Sequence, residues 1–245
     1  LGTDVPLTCA IVAKKFNLVS VPVEAAKITS NKVLIKKIFE DLKINTPKYF
    51  STKNRKLALK YVKNQKLPII IKPDDSRGSR GVGILWEYSM FDFLFEEAKK
   101  MSSKNIVLIE EFIDGKQISS ESVVYKSNVT TPGYSDRNYE NISQSRSNVI
   151  ENGGDLPTQI DEQTKIKINR LIQRLSSYLK IEYGIIKGDI IIKDNKIYFI
   201  EIALRLSGGY FSSHKIPFST GVNVLDIAVK MATKQVVKIE ELKIK

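Results

Sequence analysis

The strongest constraint on how this chain can fold is the run 188–205, Gly-Asp-Ile-Ile-Ile-Lys-Asp-Asn-Lys-Ile-Tyr-Phe-Ile-Glu-Ile-Ala-Leu-Arg. Its two apolar halves are rich in Ile and aromatic residues, which suit a pleated surface, and Asp194-Asn195 between them tolerate the left-handed backbone of a tight turn. The spacing predicts a β-hairpin. Folding it at Asp194-Asn195 brings Asp189 and Glu201 to the same end of the ladder, with Arg205 four residues beyond Glu201. Two carboxylates presented side by side on rigid strands suit a magnesium ion that bridges phosphate oxygens, the guanidinium taking the residual charge. Standing alone, such a pair reads more simply as solvated strand ends. The upstream sequence has to decide.

There, residues 67–73 form a β-prone run ended by Lys72 and Pro73, and a glycine-rich stretch follows, Arg77-Gly78-Ser79-Arg80-Gly81-Val82-Gly83. Glycines let backbone amides approach an anion, and the arginines and Ser79 add charge and a hydroxyl. The stretch joins two strands and opens no helix, so neither the P-loop nor the dinucleotide fingerprint fits; it predicts a flap. Ser30-Asn31 can cap a helix over 32–43 with Val33, Ile35, Ile38, Phe39 and Leu42 as its apolar stripe. Lys32 opposes the helix dipole in the first turn, which points either to a function or to a solvated lysine. Further helices are expected over 7–16, 51–64, 89–100, 163–179 and 224–233, the third with Met90, Phe91, Phe93, Leu94 and Phe95 in the core. Strands are expected at 49–50, 82–86, 105–113 and 118–125. Residues 18–23 fit a strand or an extended connection. Residues 126–160, rich in Ser, Asn, Thr, Gly and Pro and containing Arg137 and Arg146, read as a long irregular loop that covers a substrate.

The hydrophobic share of 42% and charged share of 27% are those of a globular chain, long enough for one large or two modest domains. With one cysteine, Cys9, and one histidine, His214, there is no internal disulfide and no Cys/His zinc cluster. A reducing, cytoplasmic setting without a membrane span is the expectation. The formal net charge of +12 favours polyanionic ligands, but the lysines are dispersed and no nucleic-acid-binding motif accompanies them, leaving RNA or DNA a minor alternative.

Taken in order, Lys32 opening a helix, Lys72 ending a strand, the 78–83 flap, Ile109-Glu110-Glu111-Phe112-Ile113 and the Asp189…Glu201-x-x-x-Arg205 hairpin resemble the ATP-grasp superfamily, from residue 32 onward. The resemblance implies an α+β fold in which two subdomains clasp ATP: residues 31–111 as the smaller lid with the flap, 112–245 as the larger unit, and 1–30 as the tail of a preceding α/β domain. It implies that Lys32 and Lys72, with Arg77, Gly78, Ser79 and Gly81 of the flap, contact the phosphates. Glu110, Glu111, Phe112 and Ile113 would hold the adenine at a hinge, and Gln117, where relatives usually have Glu, the ribose. Asp189 and Glu201 would hold magnesium, with manganese as an alternative ion, and Lys72 and Arg205 would serve catalysis.

The segments Arg205-Leu206-Ser207-Gly208-Gly209 and Thr220-Gly221-Val222-Asn223 look most like the carboxylate–amine ligase and carbamoyl-phosphate-synthase-like branch. That implies an ATP-dependent ligase that phosphorylates a small-molecule carboxylate and couples the acylphosphate to an amine, with a homodimer as the candidate assembly. Arg137, Ser207, Gly208, Gly209 and His214 are its candidate substrate residues, though a loop histidine is more often a plain polar residue. Ala203 stands where many members carry a metal-ligating Asn, which makes a degenerate nucleotide-binding module one alternative; the other, implied by the resemblance to carbamoyl-phosphate-synthase-like and biotin-carboxylase-like relatives, is a bicarbonate-activating enzyme.

Overall fold

A computed structural model describes residues 5–139, 142 and 149–244; Arg146 of the expected substrate loop lies outside them. Two antiparallel sheets face each other across a cleft, each packed on its own apolar core. The first helices, α1 (Pro6–Lys15) and α2 (Val23–Thr29), are followed by α3 (Lys32–Asp41). Residues 18–22 form neither helix nor strand, and α2 was not anticipated because Pro22 and three β-branched residues, Val23, Ile28 and Thr29, mask its short Ala25-Ala26 face. The Asn31 side chain caps α3, accepting hydrogen bonds from the amides of Val33 and Leu34 at 3.0 Å; such a cap is worth about 1 kcal/mol.

The smaller sheet runs β1 (Tyr49–Thr52), β4 (Val107–Glu111), β2 (Ile69–Pro73), β3 (Gly83–Leu85) in spatial order. Helices α4 (Arg55–Lys63) and α5 (Phe91–Met101) accompany it. Its core unites Ile69, Ile71, Leu85, Val107 and Ile109 with Phe91, Leu94 and Phe95 of α5, each fully buried side chain contributing about 1.5–3 kcal/mol. Phe93, expected in this core, is 59% exposed: with Phe91, Leu94, Phe95 and Ala98 inside, position 93 falls on the opposite face of the helix.

The larger sheet has the order β7 (Gly153–Asp155), β6 (Asn128–Asn138), β5 (Lys116–Tyr125), β8 (Tyr183–Lys193), β9 (Lys196–Ala203). Helix α6 (Glu162–Tyr178) covers one face with Ile168, Ile172 and Leu175, and that core also takes Ile35 and Phe39 of α3. By packing, therefore, α3 sits with the larger sheet, although it precedes the smaller one in sequence. Ile166, on the outer side of α6, is 50% exposed. Two short helices, α7 (Ile216–Thr220) and α8 (Val224–Ala232), close the fold, the latter capped by Asn223.

The expected irregular loop at 126–160 is in large part strand. β6 pairs with β5 over nearly its whole length, with a bulge where Thr130 pairs Val123 but Gly133 pairs Glu121. Pro132 falls in that bulge, where a missing amide costs no ladder bond. At Gly133 an added Cβ would lie 2.4 Å from Ile216 Cδ1. The Pro-Gly pair that reads as a turn is thus a bulge and a close approach.

The hairpin forms as expected, with Asp194 at φ 49° and Asn195 at φ 60°, the two left-handed residues a two-residue turn between right-twisted strands requires. Its first strand starts earlier than residue 188, at Tyr183. Its ladder contains one irregularity: Ile190 pairs with Phe199, yet the next pair is Asp189 with Glu201. Ile200 is the extra residue. Phe199 and Ile202, on either side of it, both enter the core, so Ile200 and Glu201 both remain on the cleft face, where they line the cavity.

Candidate active site

The cleft between the sheets encloses about 230 Å³. Each wall is supplied by a strand end. Lys72 closes β2, Glu110 and Glu111 close β4, and Gln117 opens β5. Arg137 comes from β6, Lys187 and Asp189 from β8, Glu201 from β9, and Lys32 from the first turn of α3. Lys32, Lys72, Arg77, Arg137, Lys187 and Arg205 outnumber Glu110, Glu111, Asp189 and Glu201 along the lining, so the cavity is electropositive and selects for anions.

Asp189 and Glu201 stand opposite each other in the β8–β9 ladder. Asp189 accepts hydrogen bonds from Lys187 Nζ at 2.7 and 2.6 Å, one to each oxygen, and Arg137 Nη1 donates to Oδ1 at 2.9 Å. The other end of the Arg137 guanidinium meets Glu151. Glu201 lies 3.5 Å from Lys32 Nζ, which also donates to the Ser76 carbonyl at 2.6 Å. Desolvation works against the Glu201 charge, but Lys32, Lys187 and Lys72 hold the carboxyl well below the usual range. Among the described residues no group of three or more His, Cys, Asp or Glu could hold a metal by itself. A pair of carboxylates fits magnesium, which binds one or two of them and completes its shell with water and substrate phosphates.

On the smaller sheet Glu110 is 2% exposed and paired with Lys72 Nζ at 2.7 Å and Lys36 Nζ at 3.0 Å. Burial alone would push Glu110 up; the two lysines hold it below the ordinary carboxylate range. Between this sheet and the cleft mouth hangs the flap, where Gly78, Ser79 and Gly81 take positive φ. A Cβ at Gly78 would meet nothing within 4 Å. Gly81 turns away from the cleft: a Cβ there would lie 2.9 Å from Met101 Cβ of α5. Asp74, at the flap's base, is 1% exposed and accepts from Asn31 Nδ2 at 2.8 Å and Ser102 Oγ at 2.7 Å, tying α3 to the flap.

A family model described as an ATP-grasp domain matches residues 29–209. The chain belongs to the ATP-grasp family. It is 24% identical over 243 residues to the carbamoyl phosphate synthase large chain of Thermotoga petrophila, covering 94% of this chain and 21% of that one. It is 25% identical over 205 residues to a D-alanine–D-alanine ligase of Pelagibacter ubique, covering 82% of this chain and 66% of the ligase. Among solved structures, a biotin carboxylase–βγ-ATP complex from Campylobacter jejuni superposes with a TM-score of 0.82 at 17% identity, over 100% of this chain and 56% of that one. The chain thus spans about a fifth of the synthase and just under two-thirds of the ligase. The α+β architecture expected from the sequence is that of the ATP-grasp family, and no described helix is long and apolar enough to cross a membrane.

Of the residues singled out in this ATP-grasp sequence, the cleft gathers Lys32, Lys72, Arg77, Gly78, Ser79, Glu110, Glu111, Phe112, Ile113, Gln117, Arg137, Asp189, Glu201 and Arg205. Gly81, Ser207, Gly208, Gly209 and His214 do not line it. His214 is exposed, its Nδ1 2.7 Å from Ser213 Oγ and its ring against Tyr210 and Phe218. Sequence reasoning missed Lys187, whose spacing of two from Asp189 on a strand was the available signal. It also missed Lys36 and Asp74, which carry none.

A fourth omission is Glu121, fully buried on β5, whose Oε2 accepts the Ser207 amide at 2.7 Å while Oε1 and the Ser207 hydroxyl have no hydrogen-bond partner. It anchors the segment that follows Arg205. Burial pushes its carboxyl above the ordinary range, against the opposing bond from the Ser207 amide. The folded pKa therefore lies above the unfolded value near 4.5, and the native state resists ionisation at every pH above that value. Glu121→Gln, which keeps the acceptor, is expected to raise the Tm at pH 7, with the gain vanishing below about pH 4.5. Melting curves at pH 7 and pH 4 check this; a lowered Tm at pH 7 would refute it.

Proposed function

We propose that this chain carries the ATP-dependent step of a ligase: magnesium-assisted transfer of the γ-phosphoryl group of ATP to a substrate carboxylate, giving an acylphosphate and ADP, followed by attack of an amine on the acyl carbon, which forms the amide and expels phosphate. One observation carries the reading, the juxtaposition across a single cavity of the in-register Asp189–Glu201 pair with Lys32, Lys72 and Arg205. Enzymes of this family use ATP and magnesium, and both suit the residues present. Asp189 and Glu201 would hold the ion, Lys32, Lys72 and the flap around Gly78 the phosphates, Phe112 and Ile113 the base, and Gln117 the ribose, whose hydroxyls an amide can serve as donor and acceptor. Residues 31–111 and 112–245 are the corresponding lid and large units in this reading.

Bound magnesium would neutralise charge on the phosphates. The rest falls to the chain's own groups. Lys72 and Arg205 offset negative charge that develops as the phosphoryl group moves, from positions fixed before reaction. Arg137, held by Asp189 and Glu151, is a cation placed for a substrate carboxylate. Closure of the flap excludes water, which would otherwise hydrolyse the acylphosphate.

A second reading, a nucleotide-binding module without turnover, has one observation in its favour. Ala203 pairs with Lys187 in the ladder, so position 203 offers no oxygen and Lys187 occupies the neighbouring carboxylate. Magnesium-dependent ADP release separates the readings when measured on the full-length protein against amino acids, hydroxy acids and bicarbonate, each with and without an amine acceptor. Stimulation by one carboxylate is expected, and bicarbonate-dependent turnover without an amino acid would select the bicarbonate-activating alternative. Tight ATP binding with silence across the panel would overturn the ligase reading, and Ala203→Asn would then be the first reversion to make.

A further inference from the structure

Lys36 does not line the cleft, yet it is 0% exposed and among the largest fully buried side chains of the molecule. Its ammonium group donates to Thr46 Oγ1 at 2.7 Å, lies 3.0 Å from Glu110 Oε1, and sits over the ring of Tyr49, 5.4 Å from the centroid. Glu110 gives its other oxygen to Lys72 at 2.7 Å. One carboxylate thus serves two amino groups, and with both protonated the buried cluster carries a formal excess of one positive charge; burial pulls the Lys36 ammonium below the usual lysine range against the attraction of Glu110. Glu201, the next carboxylate toward the cleft, is already paired with Lys32. An uncompensated buried charge is unfavourable unless a further partner reaches it. Only through Lys72, which lines the cleft, can a ligand do so.

The cluster also joins the two halves of the molecule. Ile35, beside Lys36 on α3, packs in the core of the larger sheet, whereas Glu110 and Lys72 belong to β4 and β2 of the smaller one. We propose that Lys36 is a positioning residue: its buried charge fixes Glu110, aims Lys72 at the cleft, and leaves the cluster one negative charge short, a deficit filled by the polyphosphate of a nucleoside di- or triphosphate. The inference rests on the nucleotide-binding reading of the cleft and adds to it a residue that touches no ligand.

The test is Lys36→Met, similar in length and without charge, with Lys36→Gln, which keeps a hydrogen-bond donor without charge. Binding of ADP and ATP with magnesium is measured by titration calorimetry, and thermal unfolding is recorded without nucleotide. Both variants are expected to raise the Kd for nucleotide by about tenfold or more, equivalent to about 1.4 kcal/mol, while the nucleotide-free Tm stays level or rises because the excess positive charge of the cluster has been removed and Glu110 keeps Lys72. A purely structural brace would do the reverse, lowering Tm and sparing affinity, and that pattern overturns the proposal, as does an unchanged Kd. Should Lys36→Met fail to fold, Lys36→Gln decides by the same two readings. Absence of nucleotide binding in the wild type would instead bring down the reading of the cleft, and the proposal with it.

Discussion

Lys72→Ala is expected to cut magnesium-dependent ADP release by roughly 10²–10³-fold, the range for losing one preorganised charge donor from a water-excluded site, while the fold survives. Stability is spared because removal of Lys72 leaves Glu110 with Lys36 at 3.0 Å, a buried pair of balanced charge. Glu201→Ala should lose turnover to at least the same extent for a different reason, since it removes one of the two carboxylates that face each other across the β8–β9 ladder. The two variants separate in their magnesium dependence: Lys72→Ala keeps the wild-type requirement, and Glu201→Ala needs far more of the ion. Wild-type turnover in both variants would sink the assignment of the cleft.

Glu110→Ala should behave in the opposite manner, as a stability variant first. It strips the shared counter-ion from Lys36 and Lys72, which are 0% and 4% exposed, and breaking a buried pair from one side costs about 3–5 kcal/mol. Urea unfolding of the variant should show that loss. Adding Lys36→Met to Glu110→Ala should recover part of it, because one of the two orphaned cations is then gone; the difference between the double variant and the sum of the singles measures the coupling. A destabilisation below about 1 kcal/mol would mean that water reaches the cluster and that its charges are not truly enclosed.

Much of this could be read before any coordinates, and the particular residues show why. The hairpin announced itself because turn chemistry at Asp194-Asn195 and strand chemistry on both sides agree, and a two-residue turn fixes which residues face each other. Counting alone therefore brought Asp189 and Glu201 to the same end of the ladder but one step out of register; the bulge at Ile200 that sets them face to face carried no local signal. The flap was equally legible, since Lys72-Pro73 and the glycines punctuate the sequence. What escaped was whatever depends on tertiary neighbours. β6 looked irregular because Pro132 and Gly133 obey the demands of a bulge and of Ile216, neither of which is local.

Lys36 sits at the edge of an amphipathic stripe, where an exposed lysine is the ordinary expectation; only the approach of Glu110 from another strand turns that position inward. Ser207, Gly208 and Gly209 joined the substrate candidates through the likeness of the 205–209 segment to the ligase branch; the Ser207 amide is held by Glu121, and none of the three lines the cleft. His214 drew attention by being the single histidine. Rarity is not proximity.

The extra residue at Ile200 also governs how this strand answers to change. Along β9 the core takes Ile197 and Phe199 before the irregularity and Ile202 and Leu204 after it, so the strand changes phase once, between two anchored halves. Keeping every residue but straightening that step would put Glu201 on the face of Phe199, placing a carboxylate in the oily interior. Removing Ile200 itself would restore strict alternation with Glu201 still on the cleft face and Ile202 and Leu204 still in the core. At its present length the strand depends on that phase change to hold the carboxylate pair in the cleft.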